Sequence, residues 1–395
     1  MRIFYAVDPS PNHWALGGSL VWHRNLHDSL AAAGHELVPF AFDFREYDRH
    51  LDLESPEQRA YVDAHRPALE ESLLRQVRDA HRARPLDVFF SYFYSAHCRP
   101  AVIQEIRGLG VATVNFFCNA SYQFHLVRDL APAYDWSLVP ERFRLEDYRR
   151  AGANPYYFQE AANPRFYRPH AVAPKYDVTF VGQMYGDRPF FVDRLRRGGV
   201  DVRVWGPGWR EAYPSGWRLW SGRARRVLRG EWPARSEEPR GTATAASDVP
   251  APAPSRTYPR LPGRILGGTL ADEEMVRLYS ESRIALGFAK VGQTFAGPEP
   301  IRQVRLRDFE APMSGAFYLM EYVAEIEEFF AVGREIACFD GEEDLLDKAR
   351  YFLAHEADRE RIREAGHRRA LAEHTWERRF ADFFAHAGLP HGAAA

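Results

Sequence analysis

The 395-residue chain has only three cysteines, Cys98, Cys118 and Cys338, and no C-x-x-C pair. An odd number of widely separated cysteines excludes a disulfide framework and a cysteine-based zinc site, and it favours a reducing compartment. No run in the sequence approaches the roughly 18 apolar residues that cross a bilayer. Residues Met1 to Val7 lack the basic region and long apolar core of a signal peptide. We therefore expect a soluble, cytoplasmic protein.

An excess of charge of either sign is also missing, because 52 Lys and Arg face 54 Asp and Glu, a formal net charge of −2. A dedicated nucleic-acid binder carries a basic face, so we expect no nucleic-acid partner. The 46% hydrophobic and 14% aromatic residues provide ample material for cores, which excludes a disordered or fibrous protein. The length predicts two or three domains.

Several catalytic motifs are absent: the G-x-x-x-x-G-K-[ST] phosphate loop, the G-x-G-x-x-G fingerprint, H-E-x-x-H and the G-x-S-x-G elbow. The missing G-x-G-x-x-G fingerprint argues against a nicotinamide-dependent dehydrogenase. His23 and His27 stand four residues apart on a predicted helix, a spacing that can bind a metal. No carboxylate or third histidine lies at a partnering distance in the sequence, so a packing or surface role is favoured and no metal site is predicted.

What the sequence does contain is an alternation of short apolar runs and longer amphipathic stretches. In the first third the predicted strands are Arg2–Val7, Glu36–Phe42, Asp87–Tyr92 and Val111–Phe117, and the predicted helices are Leu20–Ala33 and Pro56–Arg82. After a proline-punctuated break at Ala162–Pro174, the predicted strands are Tyr176–Val181, Val200–Trp205 and Arg283–Phe288, and the helices are Arg188–Arg197 and Asp272–Ser282. Alternating strands and helices predict parallel sheets, hence two Rossmann-like, doubly wound α/β domains.

Domain boundaries follow from these breaks. We expect an N-terminal domain over 1–165, a second domain over 166–370 with a flexible insertion over 211–263, and a C-terminal helix and tail over 371–395. The insertion is predicted because Ser236–Pro262 is rich in Pro, Ala, Ser and Thr and lacks periodicity. The helix Thr375–Ala385 carries a strong apolar stripe, and we expect it to pack back across the two lobes.

Trp217–Arg235 interleaves tryptophans and aliphatic residues with arginines. Such a segment can lie on an anionic membrane surface. An ordinary basic flap on its own domain is the favoured alternative, and a peripheral membrane contact stays open.

Gly17 and Gly18 follow the first strand and precede the first helix. Small residues at this place let the backbone approach a ligand or leave a helix N-terminus open to an anion. A tight strand-to-helix turn is the alternative.

The most informative stretch is Gln303–Gly315. On a helical wheel, Gln303, Arg307, Glu310 and Ser314 share one polar stripe. Arginine pairs with phosphate oxygens and glutamate accepts from the hydroxyls of a ribose diol, so the stripe suits a nucleotide diphosphate. The alternative is an intrahelical Arg307–Glu310 ion pair on a solvated surface. Pro312 predicts a short or kinked helix.

This stretch and several other segments of the chain resemble a known family. The motifs that carry the resemblance are Arg305–Glu310, Ser314–Leu319, Glu328–Phe330, Gly333–Ile336 and His374–Arg378, together with Tyr176–Gly182, Val204–Trp209 and Asn115–Ser121. They resemble the CgeB-like (spore maturation protein) glycosyltransferases of the group-one superfamily, over nearly the whole chain except Glu211–Gly263.

The resemblance implies a GT-B fold: two Rossmann-like lobes facing a cleft, with a nucleotide-sugar donor on the C-terminal lobe and an acceptor on the N-terminal lobe. It also implies a metal-independent, retaining hexosyltransferase that needs no cofactor beyond the donor substrate. Glu310 matches the second, ribose-binding glutamate of the family's E-x7-E motif, whereas Arg302 stands at the place of the first.

The resemblance also assigns site residues. Arg305 and Arg307 become candidates for the diphosphate, and Arg188, Lys290 and Gly182 join them on the donor side. Metal-free stabilisation of the leaving diphosphate requires such preorganised cations.

In the N-terminal lobe, the strand ends carry Tyr94, His97, Asn119, Tyr122 and His125. Asn119 stands where family members often carry aspartate, and an amide is no general base. His97 is a candidate to orient the sugar or to accept a proton, with a satisfied buried histidine as the alternative.

Two other functions stay open: a non-catalytic protein that binds a glycan or nucleotide, and a GT-B-like sugar-nucleotide epimerase. The base, sugar, acceptor and oligomeric state are not determined by the sequence.

Overall fold

The computed structural model describes residues 1–8, 19–212, 257–297 and 299–390. These residues form two compact units. Unit 1 contains residues 1–8, 19–167 and 370–390, and unit 2 contains residues 168–212, 257–297 and 299–369. Gly17, Gly18, the Trp217–Arg235 segment and most of the predicted insertion lie outside the described residues.

Eleven strands are described. In chain order they are β1 (Arg2–Ala6), β2 (Glu36–Pro39), β3 (Val88–Ser91), β4 (Ala112–Phe116), β5 (Trp136–Val139), β6 (Pro155–Tyr157), β7 (Tyr176–Val181), β8 (Val202–Trp205), β9 (Ser282–Gly287), β10 (Tyr318–Glu321) and β11 (Ala337–Phe339).

The α-helices are α1 (Asp28–Ala32), α2 (Pro56–Ala83), α3 (Pro100–Gly108), α4 (Ala120–Gln123), α5 (Leu145–Arg150), α6 (Arg188–Arg197), α7 (Trp209–Ala212), α8 (Asp272–Ser280), α9 (Leu306–Met313), α10 (Glu342–Ala354), α11 (Glu356–Glu373) and α12 (Trp376–His386). A π-helical turn, His23–His27, precedes α1. Short 3₁₀ turns cover Tyr47–Arg49, Phe124–Leu126, Ala131–Ala133, Arg142–Arg144, Gly263–Ile265, Gly292–Ala296 and Ala324–Glu328.

Each unit is built on one parallel sheet. The order in unit 1 is β2-β1-β3-β4-β5-β6, and the order in unit 2 is β11-β10-β9-β7-β8. Counted from the first strand of each unit, both contain the doubly wound order 2-1-3-4-5. In such sheets the chain changes direction between the first and third strands, and ligands bind beyond the carboxyl ends at that point. The two switch points are therefore β1/β3 and β7/β9.

The core of unit 1 forms where α2 covers the sheet. Ser55 caps this helix by accepting a hydrogen bond from the Gln58 amide, and Pro56 occupies the first helical position, where no amide is needed. Leu69, Leu73 and Val77, spaced four residues apart on α2, are fully buried in the core cluster of unit 1.

The final helix, α12, belongs to unit 1. Phe380 packs edge-on against Phe90 of β3, and Phe383 packs edge-on against Trp136 of β5. The Trp376 indole donates to Asn25 Oδ1 at 2.9 Å. These contacts place α12 in the core of unit 1, and its predicted packing across both lobes stays a prediction.

Unit 2 has its own core. Val178 and Phe180 of β7 pack with Val192 and Leu195 of α6 and with Ile284 of β9. Among the described ranges of both units, no helix combines the length and apolar character that a transmembrane span requires.

Candidate functional site

The carboxyl edge of the unit 2 sheet collects most of the donor-side residues. Gly182 follows β7, Lys290 lies shortly after β9, and Glu321 is the last residue of β10. Helix α9 begins after Arg305 at the same edge, since the Arg305 Nη2 donates to the Lys290 carbonyl at 2.6 Å. The topology therefore brings together residues separated by more than a hundred positions in the sequence.

Helix α9 is shorter than the predicted polar stripe. Arg305 has extended backbone dihedrals, and its amide donates to Asp308 Oδ2 at 2.8 Å, which starts the helix at Leu306. Gln303 consequently lies outside the helix, so its predicted place on the helical stripe is wrong. The helix spans 8 residues and includes Pro312, which has no amide to donate to the carbonyl four residues earlier.

Glu310 and Arg307 form the predicted ion pair, but the pair is not on a solvated surface. Arg307 Nη1 lies 2.6 Å from Glu310 Oε2, and the glutamate side chain is 0% exposed whereas the arginine side chain is 38% exposed. The Tyr279 hydroxyl is also in hydrogen-bond contact with Arg307, and burial raises the pKa of Tyr279 to about 12. Arg307 is thus the solvent-accessible member of the pair, and its ion pair with the buried Glu310 carboxylate fixes its position.

A second cation, Lys290, lies after β9 at the carboxyl edge of the same sheet. The Lys290 ammonium bonds the Asp187 carboxylate and lies 3.0 Å from Glu321 Oε1. Burial lowers the pKa of Lys290, but the hydrogen bonds and charges of Asp187 and Glu321 outweigh it and raise the pKa overall. Lys290 therefore stays charged, and its position is fixed by two carboxylates.

Arg302, like Lys290, lies near the Glu321 carboxylate. Its Nη2 lies 3.5 Å from Glu321 Oε1 and 3.8 Å from Asp340 Oδ1, and its side chain is 40% exposed. Two half-exposed arginines, Arg302 and Arg307, are thus each held by a buried glutamate. Neither Asp187 nor Glu321 was identified from the sequence, because only the fold brings them beside Lys290.

Arg188 is placed differently. It opens α6 and is 5% exposed; its guanidinium donates to the Gln183 carbonyl at 2.7 Å and lies over the Tyr185 ring at 3.7 Å. Burial lowers its pKa to about 10. These contacts order the turn after β7, and the predicted donor-side role of Arg188 stays a prediction.

Both backbone polar groups of Gly182 are engaged within unit 2. Its amide donates to the Trp205 carbonyl at 2.9 Å, and its carbonyl accepts from Trp209 Nε1 at 2.8 Å. A Cβ on Gly206 would lie 2.3 Å from that carbonyl oxygen, so the two glycines permit a close approach of adjacent strand ends.

Asp308 forms a further buried polar contact that the sequence did not indicate. Its Oδ1 accepts from the Tyr318 hydroxyl at 2.9 Å, and the residue is 2% exposed. Burial raises the pKa of Asp308 to about 6. The Asp308 carboxylate therefore connects the start of α9 to β10.

In unit 1, His97 follows β3 near the β1/β3 switch point. It is buried among the rings of Phe44, Phe93 and Tyr94, and burial lowers its pKa to about 3. Nδ1 accepts from the Tyr94 amide at 3.3 Å, which leaves the proton on Nε2. A neutral imidazole of such low pKa is a poor proton acceptor at neutral pH, so that part of the His97 prediction is not supported by its surroundings.

Asp48 lies next to His97 and was not singled out by the sequence. Its Oδ1 is 3.9 Å from His97 Nε2, an atom that has no hydrogen-bond partner among the residues that the structure describes. Burial, followed by the charges of Asp8 and Asp43, raises the pKa of Asp48 to about 7. A carboxyl group that titrates near neutrality is the better proton acceptor at this edge.

Asn119 lies immediately before α4, and its Nδ2 donates to the Tyr92 hydroxyl at 3.3 Å. Tyr92 in turn contacts Tyr94, the ring beside His97. The two predicted residues of unit 1 are therefore linked through two tyrosines at one edge of the sheet. Gly17 and Gly18 are outside the described residues, and their predicted role stays a prediction.

Comparisons with solved structures identify the fold. Sucrose-phosphate synthase from Thermosynechococcus elongatus aligns with a TM-score of 0.56 and 13% identity over 98% of each chain. Anabaena Alr3699/HepE, solved in complex with UDP and glucose, aligns at 0.55 and 11% over 98% of this chain and 99% of its own. AviGT4, a glycosyltransferase involved in avilamycin A biosynthesis, aligns at 0.50 and 16% over 98% and 96%. The predicted GT-B architecture of two Rossmann-like α/β domains is confirmed.

Sequence comparison addresses the family. No curated protein matches the chain. Residues 188–385, about half of the chain, match the family model described as glycosyl transferase-like. This segment contains α9, Lys290, Glu321 and the charged edge of unit 2. The chain therefore belongs to the glycosyl transferase-like family.

Proposed function

We propose that this chain transfers a hexosyl group from a nucleotide-diphosphate sugar to an acceptor, without a catalytic metal and with retention of configuration, as a CgeB-like enzyme. The observation that carries the proposal is the pairing of half-exposed Arg307 with fully buried Glu310 at the carboxyl edge of unit 2. Lys290 and Arg302 stand at the same edge. Such a set of fixed cations suits a diphosphate.

The buried position of Glu310 sets the order of donor contacts. Arg307 covers the Glu310 carboxylate, so a ribose reaches this carboxylate only after Arg307 moves. A diphosphate attracts the exposed guanidinium more strongly than water does. As Arg307 turns toward the phosphate oxygens, one oxygen of Glu310 is released to accept a hydrogen bond from a ribose hydroxyl. Phosphate binding therefore precedes ribose binding.

Departure of the nucleoside diphosphate leaves negative charge on the terminal phosphate oxygens. Arg302, Arg305, Arg307 and Lys290 are held at this edge before reaction, so their stabilisation requires little reorganisation. They replace the charge that a catalytic metal supplies in other enzymes. We expect the transfer rate to survive EDTA.

The acceptor is assigned to unit 1. There the neutral His97 offers an Nε2–H donor, Asn119 offers an amide, and Asp48 has a pKa raised to about 7 by burial. These groups orient hydroxyls and accept a proton from one of them. A retaining reaction does not require a strong base at the position of His97.

The first donor to test is a uridine nucleotide, because HepE, which shares the fold, was solved with UDP and with UDP-glucose. A thermal-shift panel of other nucleotide sugars identifies the preferred base and sugar, since a ligand of the native state raises Tm.

The deciding experiment is calorimetric titration of the preferred donor into the wild type, E310Q and R307A. Arg283, an exposed residue paired with Asp177 at 3.0 Å on unit 2, provides the matched control R283A. We expect E310Q and R307A to bind the donor about 10–100-fold more weakly, as for lost charge-assisted hydrogen bonds, and R283A to bind normally. Unchanged affinity of both E310Q and R307A would falsify the donor assignment.

Product analysis separates the two alternatives. Conversion of the donor without any acceptor, followed by NMR, would identify an epimerase. Tight donor binding with no turnover across a panel of acceptors would identify a binding protein.

A further inference from the structure

The helix that follows β1 is not α-helical throughout. The turn His23–His27 is π-helical, and the Asp28 amide donates to the His23 carbonyl, five residues earlier. An α-helix would instead bond residues four apart. Single π-turns within helices are rare and frequently occur at functional sites.

The wider turn changes which side chains are neighbours. At about 100° per residue, an α-helix would place Asp28 well away from the face of His23. In the π-turn, both His27 and Asp28 flank His23: the imidazole rings of His23 and His27 stack with centroids 4.3 Å apart, and His23 Nε2 lies 3.4 Å from Asp28 Oδ1.

The distance between His27 and Asp28 completes a compact group of three potential metal ligands. His27 Nδ1 lies 3.1 Å from the same Asp28 Oδ1, and one potential ligand atom from each residue lies within 4.8 Å of the others. The sequence argument against a metal site, that no carboxylate partners His23 and His27, is therefore wrong, because the π-turn supplies Asp28.

We propose that His23, His27 and Asp28 bind one divalent transition-metal ion, with Zn²⁺ as the representative. Zinc bonds to imidazole nitrogen and carboxylate oxygen are about 2.0–2.2 Å long. Two such bonds at tetrahedral angles place the ligand atoms about 3.3–3.5 Å apart, close to the separations of both histidines from Asp28 Oδ1. Two imidazoles and one carboxylate favour Zn²⁺, Ni²⁺ or Cu²⁺ over Mg²⁺ and Ca²⁺.

The solvent exposure of the three side chains and the contacts around them fit a metal site. The three side chains are about one-third exposed, at 36%, 29% and 33%, so an ion enters from solvent and keeps an open position for water. Arg24 Nη1 lies 4.0 Å from Asp28 Oδ2, the carboxylate oxygen that the proposed ion does not use. His27 packs edge-on against Tyr5 of β1. Such outer contacts fix ligand orientation.

The proposed ion takes no part in the proposed sugar transfer, whose charged groups lie on unit 2. Its role is to cross-link the π-turn to the start of α1 and so stabilise unit 1. This role predicts metal binding whether or not the chain is an active transferase.

The test is calorimetric titration of Zn²⁺ into the full-length chain and its variants. We expect one ion per chain, and at least about 10–100-fold weaker binding for D28N and for H23A, a loss that removal of even an outer partner can cause. The matched controls are H65A and H355A, because both residues are exposed and the Nδ1 of each contacts the carbonyl four residues earlier at 2.8 Å, His65 within α2 and His355 directly after α10. Both controls should bind Zn²⁺ as the wild type does.

A second measurement guards against misfolding. Zn²⁺ should raise the Tm of the wild type by mass action and raise the Tm of D28N by a smaller amount at the same concentration, with the metal-free Tm and circular dichroism of D28N as the reference. Absence of one-to-one binding in the wild type overturns the proposal, as does D28N and H23A binding with wild-type affinity. Binding reduced equally by H65A or H355A also overturns it.

Discussion

The two sheets share one strand order, yet their carboxyl edges carry opposite kinds of chemistry. In unit 2 the edge carries fixed ion pairs, with Arg307 over Glu310 and Lys290 between Asp187 and Glu321. In unit 1 the corresponding edge carries aromatic rings around a neutral histidine and a carboxyl group whose pKa is raised to about 7.

The difference teaches that strand order fixes where a ligand binds and leaves open what it is. Half-exposed cations held by buried carboxylates suit a polyanion such as a diphosphate. Aromatic rings and a neutral imidazole provide no fixed cation for an anion, so this edge suits an uncharged acceptor better than a diphosphate. Four changes test this contrast, beginning with the largest expected effect.

Arg307→Ala removes the exposed cation of the unit 2 edge. We expect the rate of sugar transfer to fall about 10²–10³-fold, the usual effect of removing one preorganised donor that stabilises developing charge. Initial rates at saturating donor measure it. A rate matching that of R283A would mean that the charged edge does not act on the leaving group.

Asp48→Asn tests the neutral edge of unit 1. Because burial raises the pKa of Asp48 to about 7 from 3.8, the folded state favours the protonated carboxyl. The wild type therefore loses stability as the pH rises from about 4 to about 7, whereas the amide of the D48N variant does not titrate. We expect the stability advantage of D48N to grow over this interval by a few kcal/mol and to level off above it.

Thermal midpoints of D48N and wild type between pH 4 and 8 check this expectation. Asp63, which is exposed and paired with Arg66, gives the control D63N. A D48N difference that does not change with pH would show that the unit 1 edge tolerates a charged carboxylate.

Glu321→Gln weakens the anchor shared by Lys290 and Arg302. Loss of a charge-assisted hydrogen bond costs about 1.5–3 kcal/mol, so donor affinity should fall about 10–100-fold. Calorimetry measures it, with E343Q as control, because Glu343 is 76% exposed and pairs with Arg194 outside this edge. Equal affinities for E321Q and E343Q would remove Lys290 and Arg302 from the donor site.

Tyr318→Phe removes the hydroxyl that donates to buried Asp308. We expect a loss of about 1–3 kcal/mol of unfolding free energy, because the carboxylate is left without that partner. Tyr322, whose hydroxyl donates to exposed Glu327 at 2.8 Å, provides the control Y322F with a much smaller effect. Urea unfolding compares them, and equal losses would mean that burial adds nothing to this bond.

Local pattern was sufficient for much of the architecture. The predicted bounds of Tyr176–Val181 and Arg188–Arg197 coincide with those of β7 and α6. A run of apolar and β-branched residues, or a helical stripe, reflects forces acting between near neighbours in the chain.

Four short strands were not predicted. β5, β6, β10 and β11 have only three or four residues each. Such runs lack a periodicity of their own, and their strand conformation depends on hydrogen bonds to neighbouring strands that are distant in sequence.

For the candidate site, the sequence by itself determined the residue types: arginines, a lysine and a glutamate in one segment, and a histidine pair four residues apart. Only the tertiary structure decided that Glu310 is buried beneath Arg307, that Glu321 joins Lys290 and Arg302, and that the π-turn turns Asp28 toward both histidines. The physical reason is that burial and charge pairing act through space, between side chains that the chain order keeps apart or, in a regular helix, directs to different faces.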